Sequence, residues 1–219
     1  MVMLYCDSGS IEDIKKYADD DRIAGFTTNP SLMKKAGHKR YIHFADAVLN
    51  ETDKPVSFEV LSDDWKEMSD QAHEIAAWGN TWVKIPVTNT KGESSIELID
   101  ELSDLNLNIT AVMTYEQLEW LSTVVRPHHI ISIFCGRIMD ANGTVPRFND
   151  RRNAKPNAQL LWASTRETKQ IDAAEEWGYD IITMTQDLIA KLPLRGKDLK
   201  QYSLETVQQF FNDGRGIKL

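Results

Sequence analysis

Short apolar segments alternate with amphipathic ones along almost the whole chain, and this alternation restricts the fold more than any composition figure. The stretch "VMLYCD" reads as a strand, and "SIEDIKKYADD" after it places Ile11, Ile14 and Tyr17 at helical spacing. "IAGFTTN" is extended again, and Pro30 then suits the first turn of a helix. A helical zone reaching Asn50 contains a break at "AGHKR". "PVSFEVL" is a third strand, followed by "SDDWKEMSDQAHEIAAWG", an amphipathic helix closed by Gly79. "TWVKIPV", "LNITAVM", "HIISIFCG", "QLLWAST" and "DIITM" bring the strand segments to eight. Helical segments such as "ESSIELIDELSDL", "TYEQLEWLSTVV", "RETKQIDAAEEWG" and "TQDLIAKL" follow them. Units of this kind predict an α/β chain with a parallel sheet. Eight of them close most naturally into a (β/α)8 TIM barrel. An open doubly wound sheet is the alternative, disfavoured because no G-x-G-x-x-G turn follows the first strand.

The sixth unit departs from the pattern. Between Arg137 and Leu160 the text "IMDANGTVPRFNDRRNAKPNAQ" carries Gly143, Pro146 and Pro156 and no sustained helical period. A shortened sixth crossover with a loop in its place is therefore expected. Arg147, Arg151, Arg152 and Lys155 of that loop either reach toward a ligand or form a solvated charged face. From Lys197 onward, "LETVQQFFNDG" predicts one more helix. No linker, low-complexity tract or repeat divides the 219 residues, so one domain is expected over 1–219, with 197–219 as a C-terminal helical extension.

Composition narrows the function. Hydrophobic residues at 42% and charged residues at 26% support a packed core. A net charge of −8 argues against a general binder of nucleic acid or of an anionic membrane surface, while leaving room for a local basic pocket. Cys6 and Cys135 lie in apolar segments and form no metal-ligand or disulfide pattern, which reads as reduced core thiols. No apolar run has the length of a membrane span. The start "MVMLYCDSGS" has none of the parts of a signal peptide, so a cytoplasmic protein is expected.

Within "TWVKIPVT", Trp82, Val83, Ile85 and Val87 suit a covered strand, and Lys84 interrupts them. Either the ammonium snorkels out at the strand end, or the lysine is desolvated, which favours a neutral amine nucleophile. Barrels carry their chemistry at the C-terminal ends of the strands. Those ends here bear Asp7, Thr28, Asn29, Glu59, Lys84, Asn108, Thr110, Ser132, Arg137, Ser164 and Arg166. Each has a plainer role open to it: Asp7, Thr28 or Asn29 as helix caps, Asn108 and Thr110 as an inner polar layer, and the arginines as surface charge. Their convergence on one end of the fold points to a site.

The blocks "GFTTNPSLMKKAG" (25–37), "SFEVLS" (57–62), "VKIPVT" (83–88), "NITAVMTYEQ" (108–117), "SIFCGRI" (132–138) and "ASTR" (163–166) resemble those of the transaldolases. The likeness is to the short-chain subfamily that also contains fructose-6-phosphate aldolase. It runs in order from Asp7 to Leu192, with 139–158 excepted. The resemblance implies that Lys84 forms a Schiff base with a ketose phosphate, that Asp7 is the acid–base group, and that Glu59 and Thr110 position a water. Asn29, Asn108 and Ser132 would hold the hydroxyls of a dihydroxyacetone fragment, with Thr28 and Phe134 as further substrate-contacting positions. Arg137, Ser164 and Arg166 would form the phosphate site. No metal or cofactor is expected.

The resemblance separates transfer from simple cleavage by two side chains. The aldolase branch has a glutamine at the water-positioning glutamate and a tyrosine on the sixth strand, whereas this chain has Glu59 and Phe134. Transaldolase activity in the non-oxidative pentose phosphate pathway is the expectation. The alternatives are an aldolase releasing dihydroxyacetone, and a catalytically silent sugar-phosphate-binding barrel. Leu204, Val207, Phe210 and Phe211 stripe the tail, and the short-chain relatives imply packing on a neighbouring subunit in a homo-oligomer, a decamer.

Overall fold

The computed structural model describes residues 1–148 and 156–217. Its strands are β1 (Met3–Asp7), β2 (Ile23–Thr27), β3 (Val56–Glu59), β4 (Thr81–Pro86), β5 (Leu107–Val112), β6 (Ile130–Ile133), β7 (Gln159–Trp162) and β8 (Ile181–Thr185). All pair in parallel and in sequence order, and β8 returns to β1 to close the barrel. The expected (β/α)8 architecture is what the chain adopts, and the open sheet is not.

Helices α1 (Ile11–Ala18), α2 (Pro30–Lys35), α3 (Tyr41–Glu51), α4 (Trp65–Ala76), α5 (Ile96–Glu101), α6 (Tyr115–Ser122), α7 (Cys135–Asp140), α8 (Gln170–Glu176) and α9 (Gln186–Ile189) follow the strands. A 3-10 turn (Leu192–Leu194) then leads to α10 (Leu199–Asp213). Side chains start several of them. Ser10 caps α1, Asp64 caps α4 through two main-chain N–H groups, and Thr114 and Gln117 form a capping box on α6. α4 ends at Ala76 rather than at Gly79. Gly79, at φ 139°, instead turns the chain into β4, where its carbonyl accepts from Thr81.

In the sixth unit the residues described after α7, 141–148, form no further helix, in keeping with their composition. α7 has six residues and starts directly after β6. Beyond it, Arg147 stacks 4.1 Å over the Trp177 ring. Arg151, Arg152 and Lys155 lie outside the described residues.

Two-residue alternation divides the strand side chains into two packed sets. Phe26, Phe58, Ile85, Ile109 and Trp162 face the helices and are fully buried, each contributing roughly 1.5–3 kcal/mol. Tyr5, Ile130, Leu161 and Ile181 form a separate apolar plug inside the barrel, with Trp82 against it. Gly25 makes room for that plug, since a Cβ there would stand 2.6 Å from the Tyr5 ring. Above the plug the interior turns polar, and this floor sets the depth of the site. α10 buries none of its residues, and Val207, Phe210 and Phe211 are 61%, 68% and 67% exposed. Among the described residues no helix is long and apolar enough to cross a membrane.

Candidate active site

Every sequence-derived site position except Thr28 and Asn108 lines one cavity of about 480 Å³ at the C-terminal mouth of the barrel. Lys84 is 6% exposed. Its Nζ donates to the Thr28 carbonyl at 2.7 Å and lies 3.0 Å from Glu59 Oε2. The register of the sheet makes this pairing, since Glu59 and Lys84 are direct partners across β3 and β4. Snorkelling is thereby excluded: the stem stays inside the barrel, with its ammonium held by protein oxygens.

Asp7 ends β1 on the far side of the cavity. Thr27 Oγ1 donates to its Oδ1 at 2.8 Å, and Thr27 Oγ1 lies 2.6 Å from Thr183 Oγ1. Because the Thr27 proton goes to Asp7, Thr183 is the donor in the second bond. Burial pushes the Asp7 carboxyl above its ordinary range; the Lys84 charge and the Thr27 bond oppose that rise, and Glu59 adds to it. The result is a carboxyl held in one orientation and inclined to take a proton.

Asn108 and Thr28 stand behind the cavity. Asn108 is the second residue of β5, fully buried, donating to Ser57 Oγ and accepting from Ser132 Oγ. Thr28 gives its hydroxyl to the Ser57 carbonyl and presents only its main-chain oxygen to Lys84. Asn29 caps α2 by accepting from the Leu32 N–H, as one reading of the sequence expects, and it also lines the cavity.

Two residues beside the cavity have left-handed backbones without being glycine: Ala111 at φ 62° and Ser164 at φ 61°. Each such conformation costs of order 1–3 kcal/mol and persists where its surroundings enforce it. Ala111 is the extra residue of a bulge, because Ile109 to Val112 on β5 spans Ile131 to Ile133 on β6. The bulge follows Thr110, which lines the cavity and whose buried Oγ1 has no hydrogen-bond partner among the described residues. Ser164 is pressed by α7: a Cβ at Gly136 would meet the Ser164 carbonyl oxygen at 1.7 Å. Only glycine permits that approach, which brings Arg137 and Arg166 to one rim.

The rim arginines are not equivalent. Arg137 lies 5.1 Å over the Phe134 ring. Arg166 donates from Nε and Nη2 to Asp140 Oδ2, at 3.0 and 2.8 Å. Two guanidinium groups with the Ser164 hydroxyl suit a phosphate. Among the described residues no three His, Cys, Asp or Glu side chains gather as a metal site.

Sequence reasoning missed Thr27, Thr183 and Asp140. Thr27 sits in "GFTTNPSLMKKAG", and Thr183 in "DIITM" alternates with apolar neighbours on the last strand, the signal that could have found it. Asp140 had no signal, because its contact depends on how α7 meets the loop after β7.

The family model described as Transaldolase/Fructose-6-phosphate aldolase matches residues 4–218. A protein of Dehalococcoides mccartyi named "Probable transaldolase" is 34% identical over 198 residues, covering 86% of this chain and 89% of that one. One of Thermoplasma volcanium with the same name is 28% identical over 98% of this chain and 99% of its own. Among solved structures, orotidine 5'-monophosphate decarboxylase from Metallosphaera sedula superposes with a TM-score of 0.50 at 11% identity, over 95% of this chain and 97% of that one. That likeness is one of fold.

Proposed function

Since the chain belongs to the transaldolase/fructose-6-phosphate aldolase family, we propose that it transfers a dihydroxyacetone unit between sugar phosphates through a Schiff base on Lys84. One observation carries this reading: a buried lysine faces a glutamate at 3.0 Å inside a cavity that also holds a buried, proton-seeking aspartate. Glu59 is the nearest base to the ammonium and takes its proton. The freed amine attacks the C2 carbonyl of the ketose, and loss of water leaves an iminium. Asp7 then accepts the C4 hydroxyl proton, the C3–C4 bond breaks, and its electron pair moves onto the iminium nitrogen to form an enamine. The aldose phosphate departs. An acceptor aldehyde takes the enamine carbon as Asp7 returns the proton, and water hydrolyses the new imine. The unpartnered Thr110 hydroxyl and Glu59 suit the placing of that water.

Asn29 and Ser132 face the fragment, with Asn108 orienting Ser132 from behind. Arg137, Ser164 and Arg166 receive the phosphate. The buried free thiols Cys6 and Cys135 suit a reducing compartment, and we place the activity in the cytoplasm, in the non-oxidative pentose phosphate pathway. The test is fructose 6-phosphate with erythrose 4-phosphate, followed for sedoheptulose 7-phosphate and glyceraldehyde 3-phosphate. Product is expected only with the acceptor present. Equal release of glyceraldehyde 3-phosphate without acceptor would make the chain an aldolase, and no turnover would make it a silent barrel.

Glu59 and Phe134 support transfer over cleavage. An ionised carboxylate holds water as an acceptor, and Phe134 places no second proton donor beside the enamine. Phe134→Tyr is expected to raise cleavage relative to transfer, with Glu59→Gln reinforcing the change. Coupled assays of both reactions on one preparation read the ratio, and an unchanged ratio in the double variant removes these positions as the cause.

The bare face of α10 supports assembly. Leu204, Val207, Phe210 and Phe211 are an exposed apolar stripe on a helix none of whose residues is fully buried. We expect a decamer by light scattering, and dissociation when Phe210→Asp and Phe211→Asp are combined. A monomeric native chain would refute the assembly.

A further inference from the structure

At the edge of the site β3 runs on after its neighbour has left. The last bond from that side is the Thr28 N–H to the Ser57 carbonyl, 3.1 Å, and the chain then enters α2. Main-chain groups of residues two apart on a strand face the same neighbour. The N–H and C=O of Glu59 therefore point to where β2 would have continued. Main-chain groups left unpaired in such a place lose their hydration with no bond in return.

Tyr41, the first residue of α3, takes the place of the missing strand. Its hydroxyl accepts from the Glu59 N–H at 2.6 Å and donates to the Glu59 carbonyl at 2.8 Å. The ring is held edge-on by Phe58, 6.2 Å between centroids, and by Trp78 at 5.6 Å. Burial pushes the phenol further from ionising, so it keeps the proton that the second bond needs. The next turn is held separately, by Gln71 Oε1 accepting from the Leu61 and Ser62 N–H groups at 2.7 and 3.1 Å. Tyr41 does not line the cavity.

We propose that Tyr41 is a positioning residue for the reaction. It fixes the main chain of Glu59, and thereby the carboxylate beside Lys84, without touching lysine or substrate. This rests on the Schiff-base reading above and adds a residue that the reading does not require. Its consequence is selective. Imine formation and hydrolysis, which move a proton and a water at Glu59, depend on Tyr41, whereas the carbon–carbon step at Asp7 does not.

The test is Tyr41→Phe, which keeps the ring and removes the hydroxyl, measured with Glu59→Gln and the double variant. The rate of borohydride-trapped adduct formation with fructose 6-phosphate should fall on the order of tenfold in Tyr41→Phe. KM for the donor should stay unchanged. In the Glu59→Gln background the same substitution should have no further effect, because its route is already cut. Trp78→Phe loosens the same aromatic packing without touching Glu59 and should leave trapping unchanged. Equal loss from Tyr41→Phe in both backgrounds, no loss at all, or a comparable loss in Trp78→Phe would each overturn the proposal. If Tyr41→Phe does not fold, para-aminophenylalanine at this position, which donates to the carbonyl but accepts poorly, supports the same comparison. A native chain that yields no adduct overturns the proposed function and this inference with it. An additive loss in a chain that does form the adduct overturns this inference alone.

Discussion

Borohydride added together with a ketose phosphate should fix a single covalent adduct on Lys84, and Lys84→Ala should lower turnover on the order of 10,000-fold or more. The size of the loss follows from the chemistry. Without the iminium, C3–C4 cleavage leaves a carbanion with no electron sink, and the remaining groups supply only binding and proton transfer. The choice of lysine follows from geometry. Lys84 is 6% exposed and its nitrogen lies 2.7 Å from a carbonyl and 3.0 Å from a carboxylate, inside the cavity that receives the ketose. Lys66, by contrast, lies on the solvent face with its side chain 84% exposed. Lys84→Ala leaves Glu59 beside an open cavity where water can solvate it, so circular dichroism should remain native. Peptide mapping that places the adduct on another lysine, or finds none, removes Lys84 as the nucleophile.

Asp7→Asn should lower turnover roughly 100- to 10,000-fold, the range for losing one acid–base group. It should also stabilise the protein at neutral pH. The folded-state pKa of Asp7 is raised above the ordinary 3.8 because burial penalises the carboxylate more than Lys84 and Thr27 favour it. A raised pKa means that the favourable, protonated contribution is complete below the unfolded pKa and is lost as pH rises through the folded one. At neutral pH the ionised Asp7 is therefore a load on the fold, and an uncharged asparagine removes it. The melting-temperature difference between variant and native chain should grow as pH rises from 3.8 through the folded value. The same carboxyl should set the acid limb of kcat/KM, displaced above 3.8. A variant that is less stable than the native chain at every pH would show that the Lys84 attraction outweighs burial, contrary to the direction argued here.

Both predictions concern residues legible in the sequence, and the reason is local. Eight apolar segments separated by helical periods give the barrel because side-chain periodicity is a property of neighbouring residues. A barrel then has one end for its chemistry, so the positions near strand ends could be named without coordinates. Glu59 and Lys84 face each other because they occupy equal depths on adjacent strands, and adjacent strands in this fold are adjacent units of the text. Thr28 and Asn108 were legible as polar residues near the site, with structural roles open to both, but which of those roles each takes was not legible. Whether a hydroxyl or amide meets the cavity or a neighbouring strand depends on the register that closure imposes.

The sequence by itself determined the barrel, the lysine in its strand, the carboxylates near it and the irregular stretch after α7, all carried by residue type and spacing along the chain. The tertiary structure alone decided how those groups are held. Asp7 is oriented by Thr27 and Thr183, which are 156 residues apart, and Arg166 is paired with Asp140 across 26 residues. Ala111 and Ser164 take left-handed backbones for which their side chains carry no preference, because a bulge and the close approach of Gly136 require it. The two main-chain groups of Glu59 find a phenol on α3 where a strand has ended. Distances of this kind are set by closure of the barrel, which brings together groups that no local pattern relates, and the main-chain groups involved are the same in every residue but proline.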